Sequence, residues 1–267
     1  MRIQFTDAFN YLSKLTPLRV ANGVVVVLSY YLSRLTGKPY QPGMPVSLSI
    51  EPTTTCNLGC PECPSGLRQF TRPTGNLKPD FYQSIISQVS KYTSYVIFYF
   101  QGEPYINPKF LDMVAYAHKK GMYTATSTNA HFLNPKSAER TVQSGLDRLI
   151  ISIDGTTQEV YEQYRINGKL SKVIEGTKNI VEAKQRLKSK TPHIIFQYLV
   201  VKPNEHQLDD VQALADELGV DEVKFKTAQV YDYKHGNPLI PTKEKYSRYV
   251  KQSDGTYRIK NKLLNHC

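Results

Sequence analysis

The stretch SLSIEPTTTCNLGCPECPS, from Ser47 to Ser65, contains three of the four cysteines of this 267-residue chain, directly after a short strand-like run. Cys56, Cys60 and Cys63 have the spacing C-x3-C-x2-C, which lets one loop hold a single iron–sulfur cluster through three thiolates. In a cluster of four irons, one iron would then lack a protein ligand. An open coordination position is typical of catalytic metals, whereas structural sites normally use every position. The spacing therefore predicts a catalytic [4Fe-4S] cluster.

A structural zinc site is the main alternative for these cysteines, and it would need four ligands, usually as two close pairs. The first histidine downstream is His118 and the next cysteine is Cys267, so the sequence offers no fourth ligand nearby. Unligated structural thiols fit less well, because Gly59, Pro61 and Pro64 indicate an exposed loop. The iron–sulfur interpretation is preferred over both alternatives.

The composition bounds the size and the partners of the protein. A chain of this length with 40% hydrophobic residues can bury one large core. The 34 Lys and Arg exceed the 23 Asp and Glu, and the formal charge of +11 favours anionic partners: phosphorylated substrates, acidic peptides, nucleic acid or an anionic membrane surface. Closely spaced cysteines without further pairs argue for reduced, metallated thiols rather than disulfides, so we expect a cytoplasmic, oxygen-sensitive protein.

From Val46 onward, short apolar runs alternate with amphipathic segments, which predicts βα units around a parallel sheet. The predicted strands are Val46–Ile50, Tyr95–Phe100, Tyr123–Ser127, Arg148–Ile153, His193–Val201 and Glu222–Lys226. Asn107 and Asn134, each followed by proline, are predicted to cap the starts of helices. Another helix is predicted to face the barrel through Phe81, Ile85, Ile86, Val89 and Tyr92.

Residues 1–45 are predicted to form an N-terminal helical extension. Its uncharged run VANGVVVVLSYYLS lies between Arg19 and Arg34 and is too short for a membrane span, which needs about 20 apolar residues. We expect a helix that packs on the barrel and covers its open edge or its bottom. A less favoured alternative is an interfacial membrane helix with Tyr30, Tyr31, Arg34 and Lys38 at the level of the lipid headgroups.

The cysteine spacing and three further motifs resemble the radical S-adenosylmethionine (SAM) superfamily. QGEP at 101–104, STN at 127–129 and SIDG at 152–155 follow the second, third and fourth predicted strands, in the order of that family. The resemblance covers about residues 46–230 and implies an α/β fold, a partial (β/α)6 TIM-like barrel of parallel strands. Reacting groups in such barrels lie at the C-terminal ends of the strands, where all these motifs fall. Glu62 departs from the family, which often has an aromatic residue there.

The resemblance also implies roles for individual residues. Glu103 and the carbonyls of QGEP would accept hydrogen bonds from the SAM ammonium, Arg165 would pair with its carboxylate, and Val201 would contact the adenine. The alternatives for these residues are a helix cap at Glu103, a simple turn at Asp154 and a surface ion pair at Arg165. The complete implied SAM-binding set is Gly102, Glu103, Pro104, Ser127, Thr128, Asn129, Ser152, Asp154, Arg165 and Val201.

The activity implied by the resemblance is reductive cleavage of SAM to a 5′-deoxyadenosyl radical that abstracts a substrate hydrogen. The chain is most similar to the SPASM and twitch group, whose members modify peptides or small molecules. We therefore expect such a substrate, an anionic one fitting the charge, and an electron donor such as flavodoxin or ferredoxin. A nucleic-acid-modifying radical enzyme and a non-catalytic iron–sulfur or zinc scaffold are the alternatives, but the chain lacks a recognisable RNA-binding appendage, so no nucleic acid is expected.

Three regions are predicted along the chain: the extension at 1–45, the barrel at 46–230 and a polar, basic connector at 231–267. Cys267 lies far from the other cysteines and has no partner in the sequence. By resemblance to the SPASM and twitch group, Cys267 is expected to be a ligand of an auxiliary iron–sulfur cluster in a domain that continues beyond it, and the connector is expected to lead to that domain.

Overall fold

The computed structural model of the chain describes residues 5–260, in which six parallel strands form one sheet. The strands lie in the order of the sequence from β1 to β6, so each βα unit adds its strand beside the previous one. The sheet is open between β1 and β6, which gives a partial (β/α)6 barrel and confirms the predicted fold and all six strands. Their bounds are Ser47–Ser49 (β1), Tyr95–Ile97 (β2), Tyr123–Thr128 (β3), Arg148–Ser152 (β4), His193–Val200 (β5) and Glu222–Thr227 (β6).

Of the two predicted Asn-Pro helix starts, one is confirmed and one is delayed. Asn134 caps its helix through a hydrogen bond from Ser137 N, whereas Asn107 caps only a turn, and the predicted start at Pro108 is delayed until Phe110. The helices are Phe5–Ser13 (α1), Pro17–Thr36 (α2), Pro64–Leu67 (α3), Pro79–Val89 (α4), Phe110–Lys119 (α5), Pro135–Gln143 (α6), Gln158–Tyr164 (α7), Leu170–Arg186 (α8) and Leu208–Leu218 (α9).

The main core lies between the sheet and the surrounding helices. Tyr82, Ile86 and Val89 of α4 are buried there, spaced as on one helix face. The prediction that Phe81 belongs to this face is wrong, since its side chain is 60% exposed. The inward side chains of α4 are instead Tyr82, Ile86 and Val89, which lie on one helix face at the spacing i, i+4, i+7.

Helix α1 closes the bottom of the barrel, at the N-terminal ends of the strands. The Asp7 carboxylate accepts a hydrogen bond from the Tyr123 hydroxyl and another, at 3.0 Å, from Arg148 Nε. Asn10 Nδ2 donates to Asp147 at 2.9 Å. These partners begin β3 and β4, so α1 is fixed to the barrel by buried polar contacts.

Helix α2 contacts the protein through its polar side. Arg19, Asn22 and Ser29 are its buried residues, and the Arg19 guanidinium donates to the carbonyls of Lys14, Ser90, Lys120 and Gly121 at 2.5–3.1 Å. The helix lies against the bottom of the barrel, one of its two expected positions, although most of the valines, leucines and tyrosines of the apolar run point outward. These four hydrogen bonds hold the polar side of α2 against the barrel.

Residues 231–260 are folded rather than an open connector. They contain a 3-10 turn at Glu244–Tyr246 and an antiparallel hairpin of Tyr249–Lys251 (β7) with Tyr257–Ile259 (β8). This segment joins a second apolar cluster, which includes Leu58, Cys60, Tyr164, Val201, Val230, Leu239 and Tyr249. The cysteine loop therefore rests on residues from the C-terminal part of the described chain. Cys267 lies outside the described residues.

Candidate active site

The three clustered cysteines line a cavity of about 230 Å³ at the C-terminal ends of the strands. Among residues 5–260 they are all free thiols, with Cys60 buried and the other two partly exposed. Two contacts shape their loop: the Gly59 N–H donates to Ile166 O at 2.9 Å, and Gly66 packs directly on Cys60. A side chain at Gly66 would place its Cβ 2.4 Å from Cys60 O, so the loop requires glycine there.

Most of the predicted SAM-binding residues meet at this cavity. Those that line it are Gly102, Glu103, Ser127, Thr128, Asn129, Ser152 and Arg165. Pro104, Asp154 and Val201 do not. Val201 follows the end of β5, where its N–H donates to Asn204 Oδ1 at 2.8 Å and its side chain is buried in the second apolar cluster. Gln197 and Leu199 of β5 form the cavity wall instead. Their alternation on the strand was the signal that could have identified them.

Gln101 connects the cysteine loop to the end of β2. Its Oε1 accepts hydrogen bonds from Ser65 Oγ at 3.1 Å and from Cys63 Sγ at 3.4 Å. Ser65 Oγ in turn accepts from the Gly102 N–H at 2.8 Å. Gly102 has φ +78°, and a Cβ there would lie 2.1 Å from Thr53 O, so only glycine allows this close approach.

Glu103 is 2% exposed, and its carboxylate is occupied by protein donors. It accepts from Thr128 Oγ1 at 2.7 Å, from Asn129 N at 2.8 Å and, as the cap of a 3-10 turn, from Tyr105 N at 3.3 Å. Burial raises the pKa of Glu103 to about 7, although these hydrogen bonds oppose the shift. The helix-cap alternative therefore accounts for one of these three hydrogen bonds, the one from Tyr105 N. The carboxylate also fixes the end of β3, where Thr128 and Asn129 face the cavity.

Arg165 bridges a buried carboxylate and a cysteine. Its Nε donates to Asp154 Oδ2 at 2.5 Å, and its Nη1 lies 3.7 Å from Cys60 Sγ. Asp154 Oδ1 accepts from Leu199 N at 2.7 Å, so Asp154 belongs to neither a simple turn nor the cavity surface. Burial raises the pKa of Asp154, and Arg165 opposes that shift. The ion pair is buried, contrary to the surface alternative.

The amide of Asn129 lies beside Cys56. Its Nδ2 donates to Asn57 Oδ1 at 2.8 Å and is 4.0 Å from Cys56 Sγ. Burial raises the pKa of the Cys56 thiol to about 11. His131 supports this arrangement, because its Nδ1 is 2.9 Å from Asn129 O while its Nε2 accepts from Lys169 N.

A zinc ion and an iron–sulfur cluster make different demands on the three cysteines. A zinc ion needs all its ligands within about 2.0–2.3 Å of one point. In the described part of the chain, no three Cys, His, Asp or Glu side chains come together in this way. Three thiols spread around one cavity suit a cluster in which each thiolate binds a different iron, and thiolates are the ligands that such clusters take.

Comparison with known families matches residues 50–223 to the radical SAM superfamily. The chain is 31% identical to mycofactocin maturase MftC of Mycobacterium ulcerans over 175 residues, covering 66% of this chain and 45% of that protein. It is 25% identical to PqqA peptide cyclase of Gluconobacter oxydans over 206 residues, covering 76% and 55% respectively. The chain thus spans about half the length of these relatives.

The fold is also similar to that of Streptococcus suis SuiB, solved bound to S-adenosylmethionine. The TM-score is 0.59 at 18% identity, and the match covers 71% of this chain and 42% of SuiB. At this level of identity the likeness concerns the fold alone. It includes the six-stranded sheet on which the cavity is built.

Proposed function

Because the chain belongs to the radical SAM superfamily, we propose that it is an enzyme that reductively cleaves SAM. A [4Fe-4S] cluster and SAM are general to this family; when bound, they supply a 5′-deoxyadenosyl radical that abstracts a substrate hydrogen. In our proposal Cys56, Cys60 and Cys63 hold the cluster. The observation that carries the proposal is the meeting of these three free thiols with the polar ends of β2, β3 and β4 at one cavity.

The other residues of the cavity bind and orient SAM in this proposal. The backbone at Gly102 offers carbonyl acceptors for the ammonium group, and Ser127 and Ser152 offer hydroxyls for the carboxylate and ribose. Glu103 acts through Thr128 and Asn129, because its own carboxylate is occupied. Arg165 supplies positive charge beside Cys60 and is held there by Asp154.

The proposed substrate is a peptide or a small molecule, and its electron donor a flavodoxin or ferredoxin. Support for a peptide comes from the relative named PqqA peptide cyclase. The formal charge of +11 favours an anionic substrate. Auxiliary clusters are an expectation that rests on Cys267 and on the resemblance to the SPASM and twitch group.

Anaerobic reconstitution of the 267-residue chain with iron and sulfide tests the proposal. With dithionite and SAM, the chain should release 5′-deoxyadenosine, measured by chromatography. The variant with Cys56, Cys60 and Cys63 all changed to alanine should release none, whereas Ser84→Ala, at an exposed position of α4, should release as much as the wild type. Full iron loading without SAM cleavage would contradict the proposal and favour the scaffold alternative.

A further inference from the structure

The faces of α2 are reversed relative to a helix that packs on a core. Its buried polar residues recur at helical spacing through Arg19, Asn22 and Ser29, and its apolar residues occupy the opposite side. Leu28 is 62% exposed and Leu35 is 85% exposed. The outward apolar residues are Leu18, Val20, Val24, Val25, Val27, Leu28, Tyr30, Tyr31, Leu32 and Leu35. An apolar surface of this extent on an otherwise folded chain indicates a docking face.

Within residues 8–50, which include α2, all charged side chains are basic. Between Asp7 and Glu51 the sequence contains no acidic residue, while it contains Lys14, Arg19, Arg34 and Lys38. Arg34 and Lys38 are exposed beyond the apolar run, and the Arg34 guanidinium lies over the ring of Tyr30. Tyrosines and basic side chains next to an apolar helix face are the groups that sit at the headgroup level of a bilayer.

We propose that α2 docks the protein on an anionic lipid bilayer, lying in the plane of the interface. A helix of 20 residues is about 30 Å long, so its outward side offers a continuous apolar strip to the lipid. No acidic side chain within 8–50 opposes negative lipid headgroups, and the formal charge of +11 adds attraction over a longer range.

An in-plane orientation follows from the contacts of both helices. No single helix within residues 5–260 is long and apolar enough to cross a membrane; α1 and α2 pass that test only together, and they are bent by 96°. Helix α1 is tied to the barrel through Asp7 and Asn10, and the polar side of α2 is tied through Arg19. Only the outward side of α2 is therefore available to lipid.

The docking face lies at the opposite end of the barrel from the candidate active site. The carbonyls that Arg19 binds, at Ser90, Lys120 and Gly121, precede β2 and β3, whereas the cysteines follow β1 at the other end. Docking through α2 would leave the mouth of the cavity turned away from the bilayer. The described hairpin β7–β8 also lies at the cysteine end, distant from α2.

Vesicle co-sedimentation of the metal-free 267-residue chain tests this inference without any step of the proposed chemistry. The chain should bind phosphatidylcholine vesicles that contain about one quarter phosphatidylglycerol, and more weakly those of phosphatidylcholine alone. The double variant V24E/L28E should bind at least about tenfold more weakly, because it places two charges on the apolar strip. R34Q/K38Q should bind the anionic vesicles about 25-fold more weakly, at about fivefold per basic residue.

Phe81→Glu provides the matched control, since Phe81 is an exposed apolar residue of α4, and its vesicle binding should equal that of the wild type. Circular dichroism should show that V24E/L28E keeps its fold, because both side chains are exposed and lie away from the polar side of α2 that contacts the barrel. Equal binding of wild type and V24E/L28E would overturn the inference. So would sedimentation equilibrium showing a dimer that V24E/L28E dissociates while neither protein binds vesicles, since the strip would then be a contact between two copies.

Discussion

The Glu62 carboxylate accepts a hydrogen bond from the backbone N–H of Tyr231 at 2.8 Å, joining two segments that are 169 residues apart in sequence. Its second oxygen lies 3.5 Å from Asn237 Nδ2. Glu62 directly precedes Cys63, at the position where the superfamily often has an aromatic residue. In this chain the position ties the cysteine loop to the segment after the barrel.

Glu62→Ala should therefore lower the free energy of unfolding by about 0.5–1 kcal/mol, because water can reach the exposed Tyr231 N–H and replaces part of the lost hydrogen bond. Glu62→Gln keeps an acceptor oxygen and should cost less. Urea denaturation of the metal-free chain measures both. If the two variants are equally stable, Glu62 contributes nothing through this hydrogen bond.

Removal of the three clustered thiols should abolish cluster binding. After anaerobic reconstitution, the triple alanine variant at Cys56, Cys60 and Cys63 should lack bound iron, bound sulfide and the broad visible absorbance of iron–sulfur clusters. A full-intensity cluster in this variant would assign the ligands elsewhere. Ser84→Ala, at an exposed position of α4, is the control and should keep the full iron content.

Arg165→Gln should lower the midpoint potential of the cluster. A cation within hydrogen-bonding distance of a ligand sulfur stabilises the more negative, reduced state, and Arg165 Nη1 lies 3.7 Å from Cys60 Sγ. Each kcal/mol by which the variant loses its stabilisation of the reduced cluster relative to the oxidised cluster lowers the one-electron potential by about 40 mV. Redox titration followed by electron paramagnetic resonance measures the shift. Arg186→Gln, at an exposed ion pair, should leave the potential unchanged.

Glu103 should make the free energy of unfolding depend on pH. Its pKa rises from 4.5 to about 7 on folding, so between these values the unfolded chain loses the proton first. The stability of the wild type relative to Glu103→Gln should fall as pH rises from about 4.5 to about 7, by up to about 3 kcal/mol. Urea denaturation across this range tests the sign, with the exposed Glu175→Gln as control. A difference that does not vary with pH would contradict the buried-carboxylate account.

Asp7→Ala should destabilise the fold by about 3 kcal/mol, because it leaves Arg148 and the Tyr123 hydroxyl without their buried acceptor. Glu139→Gln breaks the exposed pair with Arg186 and should cost less than about 0.5 kcal/mol. Both changes are measured by urea denaturation. A loss for Asp7→Ala no larger than that of the control would mean that α1 does not stabilise the barrel.

The strands could be predicted because the sequence of a buried parallel strand is a short apolar run between turn residues. The motifs at their ends could be placed on one face because parallel strands share a direction. Residues whose positions depend on contacts distant in sequence could not be predicted in this way. Ser65 and Gln101 meet only after β1 and β2 pair. The polar side of α2 faces the barrel through hydrogen bonds from Arg19 to carbonyls about 70 to 100 residues away in sequence. Val201 was misplaced because the chain turns directly after β5.

The second apolar cluster, which packs against the cysteine loop, can be completed only late in synthesis of the chain. Val230, Leu239 and Tyr249 support Leu58 and Cys60 from below, yet they leave the ribosome after the whole barrel has been synthesised. Until these residues pack against Leu58 and Cys60, the thiols of the loop are more accessible to solvent than in the finished fold. Iron delivered during or soon after translation would therefore meet a loop that still lacks this support, whereas in the finished fold it would enter through the cavity that the three thiols line.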